Sequence, residues 1–209
     1  ADWSIASLRK TIPIPEGGVL WSPKEHKLPD KPSLTKTNIQ LERNRFEAMT
    51  LKTEYLKGVL DSKNVVRKFF VETETNFSSL ESSSIGPISK DMFISYDWNN
   101  WYSKKKENWM KLLSLEQREF EVLVPENEKC NPFSLVIKFK SQLIRDNIKN
   151  ELINSNIYPA ILWPINRLKS KSWETSNKLL SIQCDARYSL YIDELKQKIE
   201  KTLERIKYV

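Results

Sequence analysis

Glycine is the scarcest thing in this chain: four in 209 residues, where average usage supplies about fourteen. A Gly-rich phosphate loop of the Rossmann or Walker type needs several glycines close together, and no such run occurs. One histidine excludes a His-rich metal site, and no Cys-x-x-Cys pair stands in for one. No metal is therefore expected. Cysteine is down to two, Cys130 and Cys184, which reads as a reduced, cytoplasmic protein. No apolar run approaches the roughly 20 residues of a bilayer crossing, and no basic-then-apolar leader opens the chain; no membrane association is expected.

What is abundant is charge, 29% of residues, with 34 Lys plus Arg against 27 Asp plus Glu and a net +7. The lysines are scattered. The short runs Lys104-Lys105-Lys106 and Lys169-Ser170-Lys171 belong to no binding module, so the field favours small anions rather than nucleic acid.

Two of the four glycines are adjacent, Gly17-Gly18, and they sit in the stretch that carries the most chemistry, Asp2 to Trp21. Pro13 and Pro15 rule out a helix through it and bias Ile12 and Ile14 to extended backbone. The expected form is a strand over Asp2–Leu8, a stiffened Ser-Leu-Arg-Lys corner, the Glu16-Gly17-Gly18 turn and a second strand. A rigid corner with one lysine is a way to present an amine to a carbonyl; equally, it is a solvated basic loop.

Beyond a polar, proline-bearing connection (Ser22–Thr35), apolar residues at three- and four-residue steps predict a helix over about 36–60, facing inward through Ile39, Leu41, Phe46, Met49, Leu51, Tyr55 and Leu56. A second helix is expected over Asn64–Leu80. The serine-rich break at 82–89 follows, with Ser89 as a cap before Asp91-Met92-Phe93, and then another helix over Asp97–Leu113. From Glu119 the period changes to two. Phe120, Val122 and Val124, then Phe133, Leu135, Ile137 and Phe139, predict strands with one buried face. A helix over Ser141–Asn154 turns Leu143, Ile144, Ile148 and Leu152 inward. A strand over Ile157–Trp163, a loop with helix, a strand over Leu179–Cys184 and a closing helix over Leu190–Ile206 complete a small α+β layer.

Lys10 followed six residues on by Glu16-Gly17-Gly18, the block Ser134–Pro164, and the block Leu179–Ile199 together resemble the C-terminal half of fold-type-I pyridoxal-phosphate aminotransferases. The nearest look is to the DegT/DnrJ/EryC1/StrS family, and with the helix at 35–58 the resemblance covers nearly the whole chain. It implies an α/β and α+β fold: residues 1–60 as the end of the large-domain sheet and a long connecting helix, 61–113 as a helical connection, and 114–209 as a complete small domain. It also implies pyridoxal 5'-phosphate as cofactor, with Lys10 as the lysine that holds it covalently and acts as catalytic base. Ser7 and Arg9 would serve the phosphate, and Gly17 and Gly18 would let the backbone turn tightly behind the ring.

Substrate-binding candidates are Arg187, as a clamp for a carboxylate or as the partner of Asp185 in its own turn, with Tyr158 and Trp163 as pocket walls or core. The implied partners are a small amino donor and oxo acceptor, a second copy in a homodimer, and the N-terminal half of the fold, which carries the family's ring-binding residues. Leu8-Arg9 and Trp163 stand where family members commonly carry histidine or tyrosine, so a sugar nucleotide and a small carboxylate both remain open. The alternatives are a catalytically silent relative of the same fold and an unrelated basic α+β binding module.

Overall fold

A computed structural model of the chain describes residues 1–78, 81–115, 120–125, 132–162, 164–165 and 170–204. The chain divides into two compact units, Ala1–Tyr96 and Asp97–Val209. Together they hold helices and two separate antiparallel sheets.

In the first unit, β1 (Ser4–Ser7) and β2 (Gly18–Trp21) form a two-stranded antiparallel ribbon, Ser7 opposite Gly18. All four residues of β2 are exposed, as is Ile5 at 81%. Helix α1 (Lys36–Leu56) begins at Thr35, whose side chain accepts the Asn38 N–H at 3.2 Å. It packs on α2 (Lys63–Ser78) and on α3 (Pro87–Ser95).

The inward face of α1 is not the apolar one that its periodicity predicts. Asn38, Leu41, Glu42, Arg45 and Ala48 are buried, while Phe46 and Leu56 are exposed. A polar stripe at helical spacing won because Glu42 accepts from the Ser89 N–H of α3 and Arg45 donates to Thr73 and Glu74 of α2, while Asn38 is held by Thr35 at the start of its own helix. The helix α3 also starts earlier than expected. Gly86 caps it, Pro87 occupies the first turn, and Ser89 lies buried inside it rather than ahead of it.

In the second unit, α4 (Trp98–Leu113) is capped by Asp97, which accepts the Asn100 N–H at 3.1 Å. It leads to β3 (Phe120–Leu123), β4 (Ser134–Phe139), α5 (Gln142–Asn154), α6 (Lys171–Ser176), β5 (Leu179–Gln183) and α7 (Ile192–Glu204). The sheet order is β3-β4-β5, antiparallel throughout. Alternation along β4 buries Leu135, Ile137 and Phe139. These join Leu180 and Ile182 of β5, Trp109 and Leu112 of α4, Ile148 and Leu152 of α5, and Ile192, Ile199 and Leu203 of α7 in one cluster.

Several expectations fail here. Val124 and Phe133, expected on buried strand faces, are 57% and 39% exposed and lie just beyond the ends of β3 and β4. Leu143 is 67% exposed, because it stands one residue before the buried stripe of α5. In place of a strand over Ile157–Trp163 there is a single bridge, Ala160 opposite Ser181. Prolines at 159 and 164 flank that bridge and withhold the N–H groups that a ladder needs. Trp163, Cys130, Lys169 and Arg205 lie outside the described residues, as do the expected last turns at 79–80 and 205–206.

Candidate active-site corner

The Lys10 corner is a closed loop braced from inside. A 3-10 turn spans Leu8–Lys10. The Leu8 N–H donates to the Gly17 carbonyl at 3.0 Å, and the Thr11 and Ile12 N–H groups donate to the Leu8 carbonyl at 2.9 Å each. Pro13 and Pro15 need no such partners. Ile12, Ile14 and Glu16 are 2%, 3% and 8% exposed and Pro15 is buried with them, so the loop turns into the interior after the lysine. Gly17 has φ of +125°, and a Cβ there would lie 2.9 Å from Ile85 Cδ1. That position requires glycine. Gly18 is less demanding, since its Cβ would meet only the Ala6 carbonyl at 3.4 Å.

Glu16 ties the loop to α3. Its backbone N–H donates to Ser89 Oγ at 3.2 Å, and its carboxylate accepts the Gly86 N–H. Glu42 of α1 reaches the same helix start and accepts the Ser89 N–H at 2.6 Å, while its second oxygen, Oε2, is buried with no hydrogen-bond partner among the described residues. Two carboxylates thus share one helix N-terminus, where free N–H groups favour negative charge. Burial, with the Glu42 charge adding to it, holds the Glu16 carboxyl above the ordinary range despite the Gly86 hydrogen bond and Arg9. Sequence reasoning missed Glu42 and Asn38, and it gave Ser89 the role of a cap and not that of a partner to Glu16. The signal present was the three-four spacing of the polar residues from Asn38 to Arg45.

Of the expected cofactor residues, Ser7, Arg9, Lys10, Gly17 and Gly18 come together at this corner. Lys10 and Ser7 are exposed, and neither side chain has a polar partner among the described residues. Arg9 is engaged: it donates to Glu74 of α2 at 2.9 Å and lies over the Phe77 ring at 5.6 Å. Glu74 also pairs with the buried Arg45, whose guanidinium stacks on Phe70 at 4.0 Å. Burial lowers the Arg45 pKa, with Glu74 opposing. A cavity of about 260 Å³ adjoins Gly17 and Gly18, and its charged lining is acidic, Glu16 and Glu81. Lys10 is not part of its wall.

In the second unit Arg187 sits in the 3-10 turn Ala186–Tyr188 and donates to both oxygens of Asp185, at 2.8 and 3.0 Å. Asp185 also accepts the Arg187 backbone N–H at 2.9 Å. Tyr158 is 68% exposed and lines a cavity of about 390 Å³ with Tyr188 and Tyr191. Arg187 is not among that cavity's lining residues. Cys184 is fully buried beside Lys105, and burial pushes its thiol up to about 11. It stays protonated at neutral pH and packs as a small hydrophobe. Among the described residues no cluster of three or more His, Cys, Asp or Glu is arranged to hold a metal, and no helix is long and apolar enough to cross a membrane.

No family model and no curated protein matches the chain. Among solved structures, it is similar to two forms of one Streptococcus pneumoniae protein described as a sugar aminotransferase. The apo form has a TM-score of 0.45 at 10% identity, over 71% of this chain and 45% of that one. The PMP form has a TM-score of 0.46 at 11% identity, over 71% and 47%. The chain spans less than half the length of those structures, and a likeness of this degree gives no residue a role.

Proposed function

We propose that this chain is the C-terminal part of a fold-type-I, pyridoxal-phosphate-dependent aminotransferase, with Lys10 as the lysine that carries the cofactor. The supporting observation is how Lys10 is presented. Its amine has no protein partner among the described residues, and it stands on a loop held by Ile12, Ile14, the Glu16–Gly86 hydrogen bond and a glycine whose replacement would be strained. This is the Lys-x5-Glu-Gly-Gly spacing that carries the sequence resemblance.

The cofactor itself fits these residues only in part. When bound, it supplies an electron sink for the carbon that exchanges its amino group. Lys10 offers the amine and Ser7 a hydroxyl. Arg9, however, is held by Glu74, and the cavity behind Gly17-Gly18 is lined by carboxylates that repel a phosphate. The described residues around Lys10 therefore hold no complete cofactor site. On this reading the ring and phosphate are gripped by the preceding half of the fold, in a cytoplasmic homodimer acting on a small amino donor and oxo acceptor, and this part alone is inactive. Arg187, Tyr158 and Trp163 remain its substrate-side candidates; Arg187 serves a carboxylate there only by releasing Asp185.

The test is made on the longer protein that this reading requires. Supplied with pyridoxal phosphate, it is expected to show a visible absorbance band discharged by borohydride, with the reduced label mapped by mass spectrometry to Lys10. Lys10→Ala removes the band. Label spread evenly over surface lysines, with no band, sinks the proposal. It leaves the second reading, a catalytically silent relative, which the engagement of Arg9 by Glu74 favours.

A further inference from the structure

The second unit buries a lysine that takes no part in the Lys10 corner or its proposed chemistry. Lys105 is the middle residue of the run Lys104-Lys105-Lys106 on α4; its two neighbours are exposed, while it keeps 6% of its surface. The helix decides this. Lys105, Asn108, Trp109 and Leu112, at three- and four-residue steps, form the buried face of α4, and the Asn108 side-chain amide fixes that face to the Asp185 carbonyl at 2.8 Å.

A buried ammonium is stable where a carboxylate and other acceptors meet it. Here none does. Among the described residues Lys105 makes no ion pair and no hydrogen bond. Its amine lies over the Phe133 ring, 5.5 Å from the centroid, an attraction that leaves the charge unneutralised. The titratable groups that face it are Cys184 and Asp185. The Cys184 thiol is protonated at neutral pH, and Arg187 holds both oxygens of Asp185. Burial lowers the Lys105 pKa, against the smaller effects of Cys184 and Asp185. The amine is nevertheless not sealed in. It is not one of the fully enclosed polar atoms that lack a partner, so the surface that Lys105 keeps includes Nζ.

An amine so placed is relieved by any reaction that removes its charge for good. Two kinds of electrophile differ in that respect. An aldehyde gives an imine, itself a base, which takes the charge back on protonation. An activated acyl group gives an amide, which carries none. The net charge of +7 favours an anionic acyl donor over a neutral one.

We infer that Lys105 is an acylation site, its amine taking the acyl group of an acyl phosphate. The neutral Nζ attacks the acyl carbon. The C–N bond forms as the C–O bond to phosphate breaks, and the proton that the nitrogen sheds leaves with the phosphate. The product keeps the lysine stem in its place without a buried charge. The inference does not depend on the reading of Lys10.

The test uses the full chain and acetyl phosphate at pH 7, with acetylation at each lysine followed by peptide mapping. Lys104 and Lys106 are internal controls, since they share the sequence surroundings of Lys105 and not its burial. Lys105 is expected to be acetylated severalfold faster than either, and the preference should vanish in urea. Its rate should level off with pH below about 10.4, the value of a free lysine. Lys105→Met keeps an apolar stem and removes the charge, which at pH 7 is present in the folded and the unfolded chain and penalised only in the folded one. Its melting temperature should therefore lie above that of the wild type. Acetylation of the folded chain that is no faster at Lys105 than at its neighbours overturns the inference. So does a preference that survives urea, which local sequence alone would explain. A Lys105→Met variant that melts below the wild type also overturns it, for then the buried charge stabilises the fold.

Discussion

The two units bury different substances. The second unit closes on hydrocarbon: leucine, isoleucine and phenylalanine from three strands and three helices meet in one cluster. The first closes largely on polarity, with Glu16, Asn38, Glu42, Arg45, Thr73 and Ser89 all buried between the Lys10 loop and its helices. Apolar burial stabilises in proportion to area, about 25 cal/mol per Å², and tolerates small shifts. A buried carboxylate stabilises nothing until its partners are in place. The unit that presents Lys10 is thus held by directional bonds that fix where the loop goes, at the expense of stability, while the other unit holds its fold by mass.

The largest effect should come from the hydrocarbon side. Ile137 is fully buried at the centre of the three-stranded sheet, opposite Val122 on one side and Leu180 on the other. Ile137→Ala is expected to cost about 2–5 kcal/mol, read from urea unfolding. A loss under about 1 kcal/mol on that measurement would mean that the apolar cluster does not govern the second unit.

Next comes the polar side's own packing. A Cβ on Gly86 would stand 2.3 Å from the Glu42 carboxyl carbon, and Glu42 is fully buried with nowhere to retreat. Gly86→Ala should therefore destabilise the first unit by about 1–3 kcal/mol, the usual cost of overpacking. At Gly17 the same substitution is strained as well by φ of +125°, whereas Gly18→Ala should be nearly silent, although the two glycines are adjacent. Equal losses at Gly17 and Gly18 would contradict the geometry of the corner.

The contrast also explains what could be read from sequence. Strands with period two and helices with an apolar stripe were legible in the second unit, because there the pattern and the core agree: Leu135, Ile137 and Phe139 alternate inward as expected. The ribbon was legible from Gly17-Gly18 and its prolines. The inward face of α1 was not, since apolar residues such as Phe46 lie outward and a polar stripe is buried through contacts with α2 and α3. Those contacts join residues up to 47 positions apart, which no local window includes. At the site, the glycine turn and the exposed lysine corner followed from local chemistry. That Glu74 engages Arg9 from 65 residues away did not.

A smaller effect separates the units by pH. Burial raises the Glu16 pKa in the folded protein, so the folded state holds that proton more tightly than the unfolded chain. Below the unfolded carboxylate value, about 4.3, both states are protonated and the group costs nothing. As pH rises from there through the raised folded value, the native state loses stability, and the loss is then constant. Glu16→Gln keeps an acceptor for the Gly86 N–H and removes the charge. The difference in melting temperature between variant and wild type should accordingly move in the variant's favour from pH 4 to 7. A difference that is flat, or that moves against the variant, would show that Glu16 gains more from its hydrogen bonds as an anion than burial takes away.

The smallest effect should fall on the residue with the most conspicuous ion pair. Arg187 grips Asp185 with two hydrogen bonds, yet the guanidinium is 63% exposed. Exposed pairs contribute about 0–1 kcal/mol, so Arg187→Ala should barely move the urea midpoint. Asp185 is different: its side chain is 13% exposed, and it also accepts the backbone N–H that starts the 3-10 turn. Its replacement by alanine removes a cap as well as a pair, a loss of about 0.5–2 kcal/mol, and should loosen the wall that carries Tyr188. The ratio of the two losses is the informative quantity. If Asp185→Ala costs clearly more, the aspartate builds the turn and the arginine is available, at little structural cost, to leave it for a carboxylate. If the two cost the same, the pair acts as one structural unit, and Arg187 has no freedom to serve a substrate.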